Sequence, residues 1–219
     1  MKSRSDPRFL LEGAEGTLLL VIAVVTWPVS RRWLRNWGSR PTERERDWPG
    51  DHLLPSGAFE TTRAVTIAAP VRSVWKYVVQ FGLGRAGFYS YELLERVGRI
   101  PVRNVESVEP AWQSLSVGDE ILLHPENGVR VSKLAEARSI CFGKRTHQGN
   151  DVGDGSWSIY LEPVSDDVTR LVVRACIEAL DSPTMSKRIA RGFEQVLDFV
   201  MEQRMLRTIK RLSEAAPTR

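Results

Sequence analysis

SPTMSKRIARGFEQVLDFVMEQRMLRTIKRL, residues 182–212, is the stretch whose reading decides the fold. Ser182 is a good N-cap, because its hydroxyl can accept from an unpaired amide of a first helical turn. Pro183 then fits the first helical position, where a missing N–H costs nothing. No proline follows until Pro217, and Gly192 is the one glycine of the stretch. Apolar residues recur at Met185, Ile189, Phe193, Val196, Leu197, Val200, Met201, Met205, Ile209 and Leu212, which is a helical period with one apolar stripe. At a rise of about 1.5 Å per residue this helix is roughly 45 Å long. The opposite face carries Lys187, Arg188, Arg191, Asp198, Arg207, Lys210 and Arg211. A helix of this kind needs a wide apolar seat, and the chain before it supplies one.

Thr61–Ile67 alternates and is β-branched, so it reads as a strand. Pro70 can open a helix in which Val71, Val74, Trp75, Val78 and Val79 recur through Gln80, with the glycines at 82, 84 and 87 ending it. Trp75 lies on its apolar stripe and reads as core. Ser90 can cap a second, short helix carrying Leu93, Leu94 and Val97. Residues 101–118 are irregular. Strands then follow at 120–124, 129–134, 138–143, 156–162 and 168–177, with KRTHQGNDVGDG, residues 144–155, as a loop between the third and fourth. Trp157, Ile159 and Leu161 share one face of their strand. Thr169, Leu171, Val173, Ala175 and Ile177 share one face of the last strand, and Arg170 and Arg174 the other. Alternation with short turns predicts an antiparallel sheet with one dry face. The fold class is therefore α+β: a curved antiparallel sheet wrapped around a long C-terminal helix. Sheet curvature leaves a space against the helix that can hold an apolar ligand.

The N-terminal end differs in character. TLLLVIAVVTWPV, residues 17–29, is almost wholly apolar, too short alone to span a bilayer but long enough when extended back to Phe9. That extension takes in Glu12 and Glu15, which then lie near headgroups or face a partner helix. RRWLRNW follows, with Arg31, Arg32, Arg35, Trp33 and Trp37 placed as an interfacial anchor. The positive charge on that side puts the main domain on the cytoplasmic face of a membrane. The other reading is a helix docked on the domain. Residues 38–60, rich in Pro, Gly and charge, read as a linker or as an arm over the domain surface, with Leu53 and Leu54 to pin it. The organisation is thus 1–37, an N-terminal hydrophobic segment; 38–60, the arm; 61–213, the folded domain; and 214–219, a tail.

Composition narrows the chemistry. The chain has 219 residues and a net charge of +4. It has no basic stripe interleaved with aromatics, so nucleic acid is not an expected partner. Cys141 and Cys176 fall in strand-like runs and read as buried thiols, and His52, His124 and His147 lack metal-ligand spacing. No metal and no cofactor is expected. GLGRAG, residues 82–87, spells a dinucleotide fingerprint but follows a helix instead of a strand, which is the wrong context.

The element order, with TTRAVTIAAPVRSVWKYVVQFG (61–82), GRAGFYSYELLE (84–95), RNVESVEPAWQSLSVGDEI (103–121) and FVMEQRMLRTIKR (199–211), resembles the SRPBCC superfamily. These are the START-like or helix-grip proteins, which include polyketide cyclases, aromatases and lipid-transfer domains. The likeness is to a bacterial subgroup whose members often carry an N-terminal hydrophobic segment. The resemblance implies a helix-grip fold and a ligand space between sheet and last helix. It implies no particular activity, since one fold hosts many.

Candidate ligand-binding residues are Phe88, Tyr89, Tyr91 and Trp112 near the cavity mouth, and Phe193, Leu197, Val200 and Met201 on the helix stripe. Each also has a plain role as core. Asn104 can cap a turn or face the cavity. Glu92 and Glu95, one turn apart, form an acid/base pair only if desolvated and convergent, and otherwise make a solvated face. Arg130 and Arg174 can clamp an anionic group if they point inward, and otherwise lie on the outer sheet face. No nucleophile motif or phosphate loop is present. The first functional reading is binding of a small hydrophobic or amphipathic molecule at the inner membrane face. The second is a cyclase or dehydratase using Tyr89, Tyr91 and Glu92. The third is an interaction domain whose own side chains fill the cavity.

Overall fold

The computed structural model describes residues 7–53, 59–177 and 184–216. Six strands make one antiparallel sheet: β1 Phe59–Ile67, β2 Glu120–His124, β3 Asn127–Ala135, β4 Ser139–His147, β5 Asn150–Ser165 and β6 Val168–Ile177. Their order is β1–β6–β5–β4–β3–β2, so the first strand returns to pair with the last. The sheet curls as a half-barrel around a C-terminal helix, and the architecture is helix-grip. The helices are α1 Pro7–Arg35, α2 Pro41–Glu45, α3 Val71–Val79, α4 Glu92–Val97 and α5 Met185–Ala215. The expected cap at Ser182 and Pro183 lies outside the described residues.

Alternation along the strands sorts the side chains as their pattern requires. Ile67, Phe142, Ile159, Leu161, Leu171 and Val173 are buried in one core with Met205, Leu206 and Ile209 of α5. Cys141 and Cys176 are both buried in strands. One reading of the sequence is corrected. Residues 144–155 are not a loop: β4 and β5 continue as a hairpin to His147 and Asn150. Gln148 and Gly149 both take positive φ, 48° and 81°, as a two-residue hairpin turn demands. The stretch looked irregular because this end of the hairpin is largely exposed, so neither face needed to be apolar.

α1 lies along α5. Ala23 and Leu34 pack with Val196, Phe199 and Val200, beside Tyr91. Gly16 permits the approach, because a Cβ there would sit 2.8 Å from the Tyr91 ring. Glu12 and Glu15 both reach Arg204 of α5, at 3.2 and 3.7 Å. α5 thus has two apolar sides, one for the sheet and one for α1, where the sequence suggested a single stripe.

The outer face of the sheet is covered as well. Trp48 of the arm packs on Ala64, Cys141, Tyr160 and Val172, with Leu53 alongside. Arg170 and Arg174 do lie on this face, but both are buried and not solvated. Arg170 donates to both carboxylate oxygens of Glu43, at 2.7 and 2.9 Å. Arg174 donates to Asp51 and Thr62, each at 2.7 Å. Burial alone would raise the Glu43 pKa, but the hydrogen bonds from Arg170 and the Arg40 amide outweigh it and hold it below its ordinary value. A carboxyl with a depressed folded pKa stabilises above its unfolded pKa, and that contribution is lost as pH falls through the folded value. Removing one partner of a buried pair is costly. Glu43→Ala should therefore lower stability at pH 7 by about 3–5 kcal/mol in urea unfolding, with the gap from wild type closing in acid.

Candidate functional site

Between the sheet and α5 lies a cavity of about 590 Å³. Its walls are mainly apolar. Phe81 and Phe88 come from the segment after α3, Phe142 from β4, Trp157 from β5, and Leu197, Met201 and Met205 from α5. Four of these side chains form a connected ring cluster, with centroid separations of 5.2 Å for Phe81–Phe88 and 5.1 Å for both Phe81–Trp157 and Phe142–Trp157.

The polar groups on the wall are few. Asp198 and Glu202 stand one turn apart on α5, Glu95 and Ser90 come from the α4 region, and Arg145 from the hairpin. Glu202 forms an ion pair with Arg63 of β1 at 3.2 Å, without the alignment of a hydrogen bond. Arg63 is only 1% exposed, and its Nε donates to the Leu34 carbonyl in the last turn of α1. Burial raises the Glu202 pKa and Asp198 raises it further, against the pull of Arg63. Burial likewise raises that of Asp198, with Arg63 opposing and Glu194 adding. Asp198 is nevertheless exposed by accessible surface while also lining the cavity. Burial raises the Glu95 pKa too, though Ser90 Oγ donates to it at 2.6 Å.

Of the ligand-binding candidates read from sequence, Phe88, Leu197 and Met201 line the cavity, as does Glu95 of the acid/base pair. The others are placed elsewhere. Tyr89 is buried at positive φ, with its hydroxyl accepting from Gln80 at 2.7 Å, and burial raises its pKa. Tyr91 sits under Gly16 of α1, its pKa pushed up to about 12 by burial and by Glu15. Val200 faces α1. Trp112 is half-buried against the main core, in a 3-10 turn at Pro110–Trp112. Phe193 is 49% exposed. The helix turns it and Val200 away from the sheet, because α1 takes up the side of α5 that a single-stripe reading assigns inward.

Asn104 is a staple. Its Oδ1 accepts from the Phe88 and Tyr89 amides at 3.1 and 2.7 Å, and its Nδ2 donates to the Ser90 carbonyl at 2.8 Å. Glu92 and Glu95 are both buried instead of forming a solvated face. They do not converge: Glu92 accepts from the Asn104 amide, while Glu95 takes the Ser90 hydroxyl that sequence assigned to capping. Arg130 pairs with Asp151 at 2.9 Å and is not on the cavity wall. Gly82 and Gly87 exchange two backbone hydrogen bonds of 3.0 Å, closing residues 82–87 into a tight loop. Among the described residues no group of three or more His, Cys, Asp or Glu can hold a metal ion.

Sequence reasoning missed Asp198 and Glu202. Asp198 was assigned to the solvent face, and its spacing of four from Glu202, with Leu197 and Met201 beside them, was the available signal. A carboxyl whose folded pKa is raised destabilises above that value, and the penalty disappears below its unfolded pKa. Asp198→Asn should therefore melt higher than wild type at pH 7.5, with the two curves converging near pH 4. A melting temperature unchanged at pH 7.5 would show that Asp198 is fully solvated.

No family model and no curated protein matches the sequence. Similar solved structures include an aromatase/cyclase from Streptomyces sp. R1128, 17% identical over 72% of this chain and 94% of that one, with a TM-score of 0.42. A protein from Nitrosomonas europaea is 14% identical over 76% and 98%, with a TM-score of 0.44. One from Arthrobacter aurescens is 13% identical over 75% and 91%, with a TM-score of 0.43.

Proposed function

We propose that the protein binds a small hydrophobic or amphipathic molecule, lipid- or polyketide-like, in the cavity between sheet and α5, and does so at a membrane surface. The observation that carries this reading is the cavity itself: about 590 Å³ of space with a mainly apolar wall. Ligand sites commonly have this size and this mixture of apolar wall and few polar groups. A filled-core interaction domain would have closed the same space with its own side chains.

The membrane part rests on α1. Phe9–Trp27 is long and apolar enough to cross a bilayer by length and composition, and only 22% of it is buried. A helix that is apolar all round needs apolar cover all round. The domain covers one side. On the other, Leu11, Leu18, Val25 and Val29 are each more than half exposed. The hydroxyls of Thr26 and Ser30 donate back to the Ile22 and Thr26 carbonyls, so they ask nothing of the surroundings. Because Glu12 and Glu15 are held by Arg204, this helix is better suited to lying along a membrane with the domain attached than to crossing it alone. Arg31 and Arg32 then meet headgroups from the cytoplasmic side.

The enzyme reading keeps one favourable observation, the three carboxyls of raised pKa on the cavity wall, since a raised pKa is what a carboxyl acting as a general acid needs. Glu95, Asp198 and Glu202 would then do the work assigned from sequence to Tyr89, Tyr91 and Glu92.

Met201→Trp should fill the cavity and weaken uptake of an alkyl probe such as dodecanol at least tenfold by calorimetry, while Phe193→Trp should leave it unchanged. Equal binding by both variants would overturn the cavity reading. Replacing Leu18 and Val25 together by Asp should abolish cosedimentation with anionic vesicles, and retained cosedimentation would overturn the membrane reading.

A further inference from the structure

We infer that the cavity selects amphiphiles whose polar end is an ammonium group, held between the Asp198–Glu202 pair and the ring cluster of Phe81, Phe88, Phe142 and Trp157. This rests on the cavity-binding reading above and adds the charge of the ligand. Two independent features point the same way. The first is charge. The wall carries Glu95, Asp198 and Glu202, and among the described residues the one cation paired to any of them is Arg63, at 3.2 Å from Glu202. Among the described residues neither Asp198 nor Glu95 forms a salt bridge, and Glu202 Oε1 is buried without a hydrogen bond. Arg145 also lines the cavity, but it stands on the exposed hairpin against Gly153 and Gly155. An entering ammonium adds counter-charge beyond Arg63 and can donate to Asp198, which forms no salt bridge among the described residues. An entering carboxylate or phosphate adds to the repulsion. The second feature is the ring cluster. Aromatic faces attract cations through their quadrupoles, and a carboxylate beside an aromatic wall is a common way to recognise an alkylammonium. Raised carboxyl pKa values accompany such a site when empty, since burial disfavours both charges and Arg63 offsets this only in part.

The alternative for the same wall is a neutral ligand whose carbonyl accepts from a protonated acid. Matched twelve-carbon probes separate the two. Dodecylamine, dodecanol and dodecanoate, each below its micellar concentration, would be titrated into the full-length protein at pH 7.5 by calorimetry. The exposed face of α1 takes up alkyl chains without regard to these two acids, so the variants isolate the cavity. Dodecylamine should bind roughly tenfold or more tighter than dodecanol, the size of one charge-assisted hydrogen bond, with dodecanoate weakest. Asp198→Asn should shrink that preference several-fold, and Asp198→Asn with Glu202→Gln should remove it. Asp198→Asn alone tests the inference if the double variant does not fold. Dodecanol binding as tightly as dodecylamine, or a preference that survives Asp198→Asn, overturns the inference and leaves the cavity reading standing. Failure of all three probes to bind wild type overturns both.

Discussion

One buried guanidinium joins the three layers of this protein. Arg63 projects from β1, donates to the last turn of α1, and pairs with Glu202 of α5 on the cavity wall. Its position at a helix C-terminus is favourable, because a cation there meets carbonyls that the helix itself leaves unpaired. Its cost is desolvation, which the Leu34 carbonyl and Glu202 offset only in part, since Nη1 finds no aligned acceptor. The placement of α1 and the electrostatics of the cavity are therefore not independent. Whatever shifts α1 changes what faces Glu202.

The acids near Arg63 fit poorly into a stability argument and well into a functional one. A helix chosen only for packing would place apolar side chains at positions 198 and 202, beside Leu197 and Met201. Keeping Asp198 and Glu202 there desolvates two neighbouring carboxyls and makes them repel. Folded chains tolerate such conflicts mainly where a site needs them.

Much of this fold was legible in the sequence, because its strands alternate and its last helix keeps a helical period. Trp157, Ile159 and Leu161 face inward as their spacing requires, and Arg170 and Arg174 face outward. What was less legible depends on partners distant in the chain. The arginines of β6 look solvent-bound until Glu43 and Asp51 of the arm are laid over them. Phe193 and Val200 look inward-facing until α1 is laid on α5. The hairpin at residues 144–155 has no apolar face to announce it. Of the site, Phe88, Leu197 and Met201 could be read from apolar spacing, whereas Asp198 could not, since a carboxyl on a helix is usually solvated. Its desolvation comes from a curved sheet that ends before the helix begins.

The seating of α1 on α5 has a consequence in time. The two helices stand at opposite ends of the chain, Pro7–Arg35 and Met185–Ala215. At a synthesis rate of about 5–20 residues per second, α1 is complete on the order of ten to thirty seconds before its seat exists. During that interval both of its sides are uncovered, including the one that Val196 and Phe199 will later bury. Any apolar cover α1 has in that interval comes from somewhere other than α5. The order of manufacture thus leaves α1 without its seat until α5, the last wall of the cavity, has been made.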